Sequence, residues 1–213
     1  MKKKWLVVAL ICSGTLIGCS TVGAIMSDVE KPDYKIISEV QSIEIREYKP
    51  MIIAEVEVKG KREEAIGDGF RLLADYIFGN NTVSQDIKMT APVQQQETNQ
   101  KIAMTAPVQQ QQLDDQSSWR ISFVMPSEYT LDTLPLPAND KVQLKEMDGQ
   151  KFVVIKFSGT SSKENLLKHE SLLTQHVKEN HLKTTGPLKY AFYNPPWTLP
   201  FMRRNEIMIE LTE

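Results

Sequence analysis

Cysteine is almost absent from this 213-residue chain, occurring only at Cys12 and Cys19. Both lie in the first twenty positions, so everything beyond them lacks a thiol nucleophile, a thiolate metal ligand or a disulfide. Histidine is scarce too, limited to His169, His176 and His181. His169 and His176 are seven residues apart, two helical turns, whereas shared metal ligation from a helix favours i,i+4 spacing; they read as solvated surface side chains. There is no HExxH, no GxSxG and no glycine-rich phosphate loop, and no nucleophile–base pair stands out. The expectation is therefore a protein that is not an enzyme. Excess positive charge is missing as well: 25 Lys and Arg face 27 Asp and Glu, a balance that argues against a nucleic-acid partner.

Long apolar runs are also lacking. The longest candidate, Trp5 to Ile17, has thirteen residues behind Lys2, Lys3 and Lys4. It is shorter than the roughly 20 residues of a membrane span and suits a signal peptide. It ends in Leu16-Ile17-Gly18-Cys19, which resembles the bacterial lipobox, with Cys19 as the lipidated first mature residue. Acyl chains on that residue would each add about 0.8 kcal/mol of membrane affinity per buried methylene. The expected organisation is a lipoprotein signal peptide over 1–18, a lipidated tether over 19–33 and one domain over 34–213. The expected location is the bacterial cell envelope. Ser20 rather than Asp follows the cysteine, which in a Gram-negative source points to the outer membrane, facing the periplasm. Without the three signal lysines, 22 basic residues face 27 acidic ones, a net charge of −5.

Periodicity organises the rest. Ile43, Ile45 and the alternation over Met51 to Val58 predict two strands joined at Tyr48-Lys49-Pro50. Glu55 and Glu57 read as a solvated strand face. Ile66, Phe70, Leu73 and Ile77 predict a helix with Glu63 and Glu64 in its first turn, stopped by Gly79-Asn80-Asn81. Within it, Gly67 and Gly69 hint at close approach by a ligand or another chain segment. The chain then repeats itself: Ile87 to Val93 (IKMTAPV) and Ile102 to Val108 (IAMTAPV) predict twin strands linked by a polar Gln94 to Gln100 connection. The glutamine-rich stretches around Gln94 and Gln109 read as solvated linkers. Further strands are predicted at 119–125, 142–147 and 152–157, the last two joined by a hairpin turn at Met147-Asp148-Gly149-Gln150. A second helix opens at Ser161-Ser162-Lys163-Glu164, with a stripe of Leu166, Leu173 and Val177, and strands follow at 188–193 and 205–211. Strands, helix, strands, twice over, predicts an α+β domain with two helices on a curved antiparallel sheet or distorted barrel.

Two features invite a ligand. Met89 and Met104 project from the apolar faces of the twin strands, where a polarizable side chain suits either an ordinary core or a flat ligand. The stretch Tyr193 to Phe201 is rich in proline and aromatic residues, and Arg203 and Arg204 follow. It can be a cap with its arginines paired to acidic neighbours, or a pocket mouth where arginine meets a carboxylate.

The segments IEIREYKP, FRLLADYIFGNN, IKMTAPV, SFVMPSEYTLDTLPLP and YNPPWTLPFMRRNEIMIEL occur in this order from Tyr34 to Leu211. In this they resemble the SOUL haem-binding proteins. The resemblance implies a distorted antiparallel β-barrel of two pseudo-symmetric halves with two flanking helices, allied to bacterial effector-binding domains. It also implies haem or another tetrapyrrole held in a shallow apolar cleft. The position of a proposed iron-ligating histidine in one branch is Glu47 here, so haem is expected without histidine ligation. In another branch haem lies over the first helix; the matching apolar positions are Phe70 and Ala74, and the basic ones fall on Gly67 and Asp75. The candidate pocket is Phe70, Leu73, Ala74, Ile77, Met89, Met104, Trp197, Phe201 and Arg203. The expected function is a lipid-anchored carrier or buffer of haem or a related tetrapyrrole. The alternatives are a binding module for other amphipathic small molecules or lipids, and a ligand-free protein-interaction domain.

Overall fold

Alternating side chains give each strand two distinct faces, and the sheet they build uses both. The computed structural model describes residues 29–82, 100–113 and 117–212. In chain order these form β1 (Tyr34–Val40), β2 (Ile43–Tyr48), β3 (Met51–Lys59), α1 (Arg62–Ile77) and β4 (Asn81–Thr82), then β5 (Val108–Gln112), β6 (Ser118–Val124) and β7 (Leu136–Pro137). After them come β8 (Gln143–Met147), β9 (Lys151–Phe157), α2 (Lys163–Glu179), β10 (Thr184–Phe192), a 3-10 turn at Pro200–Met202 and β11 (Asn205–Leu211). Nine strands form one antiparallel sheet in the order β1-β2-β9-β11-β10-β5-β6-β3-β8, curled into a half-barrel with β1 and β8 as its edges; β4 and β7 make a separate ribbon.

The order is palindromic about the β5–β10 seam. The run β10-β11-β9-β2 on one side mirrors β5-β6-β3-β8 on the other, so the two pseudo-symmetric halves are real. They also exchange a strand. The predicted hairpin at 147–150 does not form: β8 pairs with β3, and β9 pairs with β2 and β11. The junction after β2 behaves alike, since β2 pairs with β9 and not with β3. The two corners lie back to back: Tyr48 N–H donates to the Gln150 carbonyl at 2.9 Å. A Cβ on Gly149 would sit 2.9 Å from the Tyr48 carbonyl oxygen, so only glycine fits this corner.

Helix α1 covers the outer face of the first half. Ala54, Val56, Ile121 and Phe123 meet Leu73, Tyr76 and Ile77 there in one core cluster. The buried face of α1 includes Leu73 and Ile77 as predicted, but in its first turns it runs through Ala65 and Gly69, one position before the predicted Ile66 and Phe70. The small residues explain the shift: they let the helix backbone settle against the sheet, where a Cβ on Gly69 would meet Ile121 at 2.9 Å. Gly69 thus marks approach by a chain segment, while nothing lies within 4 Å of a Cβ on Gly67. Helix α2 covers the second half, its Leu166 and Leu173 packed on Val153, Ile155 and Ile207. Its N-cap is Ser162, one residue beyond the Ser161 that the Ser161–Glu164 capping-box spacing predicts, and the Ser162 side chain accepts from the Asn165 amide.

The repeat resolves differently from the prediction. Its first copy lies outside the described residues. The second is not a strand over 102–107, because its backbone donors serve other partners: Ile102 N–H bonds to the Ile77 carbonyl and Ala106 N–H to that of Glu30, and Pro107 has no N–H. The regular strand is the glutamine run itself. β5 sits at the seam, paired with β6 on one side and β10 on the other, and Gln110 is buried. Residues 29–33, at the end of the expected tether, lie against the domain: Val29 packs on the cluster around Tyr193 and Phe152.

Candidate functional site

The inner face of the curl carries the charge. On β3, Ile53 and Glu55 point inward while Ala54 and Val56 point to α1. On β6, Arg120 and Ser122 point inward, and on β10 Lys189 does. Together with Met51, Met147, Phe152 and Met208 these side chains line an open cleft of about 150 Å³. Glu55 is 4 % exposed, so the predicted solvated face is wrong at this position. Pairing makes the burial tolerable: Lys145 of β8 donates to its carboxylate, and Arg120 Nε lies 3.5 Å from it. Glu57, one pleat further, is exposed and accepts from Arg120 Nη2 at 2.5 Å.

Lys189 stands apart from this pairing. Its side chain is 19 % exposed, its ammonium is 4.0 Å from the Glu210 carboxylate, and it lies 4.8 Å over the Phe152 ring. Burial holds its pKa below the ordinary lysine value, against the pull of Glu210.

A second ionic cluster lies on the inner face of the other half. Arg46, fully buried, donates to Glu44 at 2.6 Å and makes two bonds to Glu206, at 2.9 and 3.0 Å. Arg204 and the Tyr193 hydroxyl also reach Glu206, at 2.9 and 2.8 Å, and Lys156 reaches Glu44 at 3.1 Å. Burial pushes the Tyr48 hydroxyl up to about 12. Burial alone would raise the Glu44 carboxyl, but hydrogen bonds from Arg46 and Lys156 outweigh it and hold the group below its usual range. Every group here has partners inside the protein, so the cluster is a structural tie.

The expected pocket residues fall in separate places. Leu73, Ala74 and Ile77 are buried in α1 on the outer side of the sheet. Phe70, 38 % exposed, borders them edge-on to Phe123 at 5.4 Å. Met104 packs partly buried against the same core cluster, and Met89 and Cys19 lie outside the described residues. Trp197 and Phe201 are on the β10–β11 loop, 58 % and 74 % exposed. Arg203 stitches that loop to itself, donating to the carbonyls of Thr198 and Pro196. Four of the nine therefore belong to α1, and the sheet separates them from the cleft. The histidines are remote as well: His169 stacks on Phe157 at 4.0 Å, on the α2 side. Among the described residues no three His, Cys, Asp or Glu side chains group as a metal site.

The cleft residues escaped the sequence reading because alternation defines two faces without saying which one the helices cover. One signal was available: an acidic residue amid Ile53, Ala54 and Val56 needs a partner.

Comparison with known proteins bears on this arrangement. The sequence pattern described as SOUL heme-binding protein matches residues 29–210. Heme-binding protein 1 of Xenopus laevis is 25 % identical over 189 residues, covering 86 % of this chain and 93 % of that protein. Among solved structures, the EcmrR C-terminal domain aligns with a TM-score of 0.57 at 11 % identity, covering 84 % of this chain and 98 % of that one. A hydrolase from Listeria innocua aligns at 0.52 and 13 % identity, covering 83 % and 94 %. At such identities the structural likenesses speak for the fold alone.

Proposed function

The chain belongs to the SOUL heme-binding protein family, and from that premise we propose that it binds haem or a related tetrapyrrole at the inner-face cleft. The carrying observation is an apolar wall of Met51, Met147, Phe152 and Met208 standing beside the cations Arg120, Lys145 and Lys189. A tetrapyrrole combines a flat apolar ring with carboxylates, and both halves of that chemistry have counterparts here. Methionine adapts its shape to a flat ring. The cavity, about 150 Å³, is smaller than the 300–1,000 Å³ of enclosing pockets, so a ring would rest against the face and stay partly exposed. Haem, when bound, would supply an iron centre, and Met51, Met147 and Met208 are the soft thioether donors in the lining of the cleft.

The biological setting proposed is a carrier or buffer held in the cell envelope by lipid on Cys19. What supports it is the run from Lys2 through the Leu16-Ile17-Gly18-Cys19 box. Radiolabelled palmitate should enter the expressed chain and be absent from Cys19→Ala; labelling that survives the substitution removes the anchor.

Haemin titrated into the purified chain should give a saturable Soret shift at one per chain. Met208→Ala should weaken it several-fold and Phe70→Ala should leave it unchanged. The opposite pattern would move the ligand to the outer face of α1, and a spectrum identical to haemin on an unrelated protein would remove the function.

A further inference from the structure

Strand register sets three polar side chains side by side across the seam. Lys189 of β10 is opposite Gln111 of β5, and Gln111 is opposite Arg120 of β6. Directly opposed residues on antiparallel strands lie roughly 5 Å apart at Cα, so the three form one short row, contributed by both halves of the molecule. All three line the cleft.

The acids around this row balance its charge but leave two of its donors without a close acceptor. Glu57 takes Arg120 Nη2, and Glu55 takes Lys145. The Arg120 Nε, 3.5 Å from Glu55, is buried without a hydrogen-bond acceptor. Lys189 has its acid, Glu210, only at 4.0 Å. Asp148 is the remaining carboxylate of the lining; it belongs to the β8–β9 corner. Two cationic donors thus lack good acceptors on the same face, with a glutamine between them that can donate as well. An oxygen anion would take its hydrogen bonds from the Lys189 ammonium and the Gln111 amide and draw on the charge of Arg120, whose Nε is covered by the protein.

We infer that Lys189, Gln111 and Arg120 form a seat for the carboxylate of an amphipathic anion, whose apolar body lies along Phe152 and Met208. This deepens the tetrapyrrole reading and rests on the cleft being a ligand site. It makes the carboxylate, and not the metal, the recognised group. A metal-free ring with free carboxylates is therefore a full ligand, and a ring with blocked carboxylates is a poor one. Any amphipathic carboxylate of suitable length is a weaker ligand of the same seat.

Calorimetry on the purified chain tests this with two matched pairs: mesoporphyrin IX against its dimethyl ester, and decanoate against decanol. A charge-assisted bond to a half-buried cation is worth about 1.5–3 kcal/mol, so each acid should bind at least about tenfold tighter than its neutral partner. Lys189→Met should bring each pair within about twofold, and Lys189→Arg should restore the preference. Urea unfolding of Lys189→Met confirms that the variant is folded. Equal binding of porphyrin and ester overturns the seat and leaves the tetrapyrrole reading standing. Discrimination between decanoate and decanol with no porphyrin binding keeps the seat and overturns the tetrapyrrole. Binding by none of the four overturns both.

Discussion

Gly67 and Gly69 are two residues apart in one helix and have opposite meanings. Both weaken a helix interior by about 1 kcal/mol relative to alanine. At Gly67 a Cβ would enter open space, so Gly67→Ala should stabilise the fold by about 0.5–1 kcal/mol. At Gly69 the same Cβ would press on Ile121 at 2.9 Å, and Gly69→Ala should destabilise it by about 1–3 kcal/mol. Urea denaturation of the two variants reads both signs at once; equal shifts would mean that helix and sheet are not in contact there. The sequence pointed to both glycines alike, because a propensity penalty is visible in a string of residues and a neighbour as distant in the chain as Ile121 is not. Glu55 illustrates the same limit. Its alternation with Ile53 was legible, but its burial depends on Lys145 and Arg120, brought in by other strands.

At the scale of elements, the first and last of the five motif segments converge on the inner-face tie. IEIREY supplies Glu44, Arg46 and Tyr48, YNPPW supplies Tyr193, and RRNE supplies Arg204 and Glu206. They mark the fold because they bind one another. Arg46→Met would leave Glu44 and Glu206 buried with fewer cations and should destabilise the protein by about 3–5 kcal/mol. The pH response follows from Glu44. Its folded pKa lies below the unfolded one, so its stabilisation is complete above the ordinary carboxylate value near 4 and fades as pH falls through the folded value. Glu44→Gln should be less stable than wild type at pH 7, and the gap should narrow below about pH 4. A gap that is constant in urea midpoints from pH 7 to pH 3 would show that the charge of Glu44 is not what stabilises. Strand existence was readable from alternation for β2, β3, β6 and β8 to β11 but not for β1, β4, β5 or β7, and helix α2 was readable from its serine-rich start and its stripe. The Ile102–Val108 segment was misread because parity reports which side chains face together, while hydrogen-bond partners decide whether a backbone is a strand.

At the scale of the whole molecule, the doubled order of strands, helix and strands was legible and the pairing was not. Both tight corners have the length and turn residues of hairpins, and both send their strands to opposite halves. Local sequence can specify a corner, but the partner of each outgoing strand is fixed by the sheet as a whole. The candidate cleft shares this property, since its cationic row is assembled across the seam from β10, β5 and β6.

The exchanged strands make each half a lock for the other. Cut within 127–133, between β6 and β7, the chain would give two pieces, the first missing β8 and the second missing β2, each the strand that flanks its own three-stranded core. Neither piece should show cooperative unfolding by circular dichroism alone, and an equimolar mixture should regain it, with a midpoint that rises with concentration. A piece that folds unaided would mean the exchange is ornamental. If it is not, the chain behaves as an obligate dimer whose two subunits happen to share one backbone, and evolution cannot edit one of them without consulting the other.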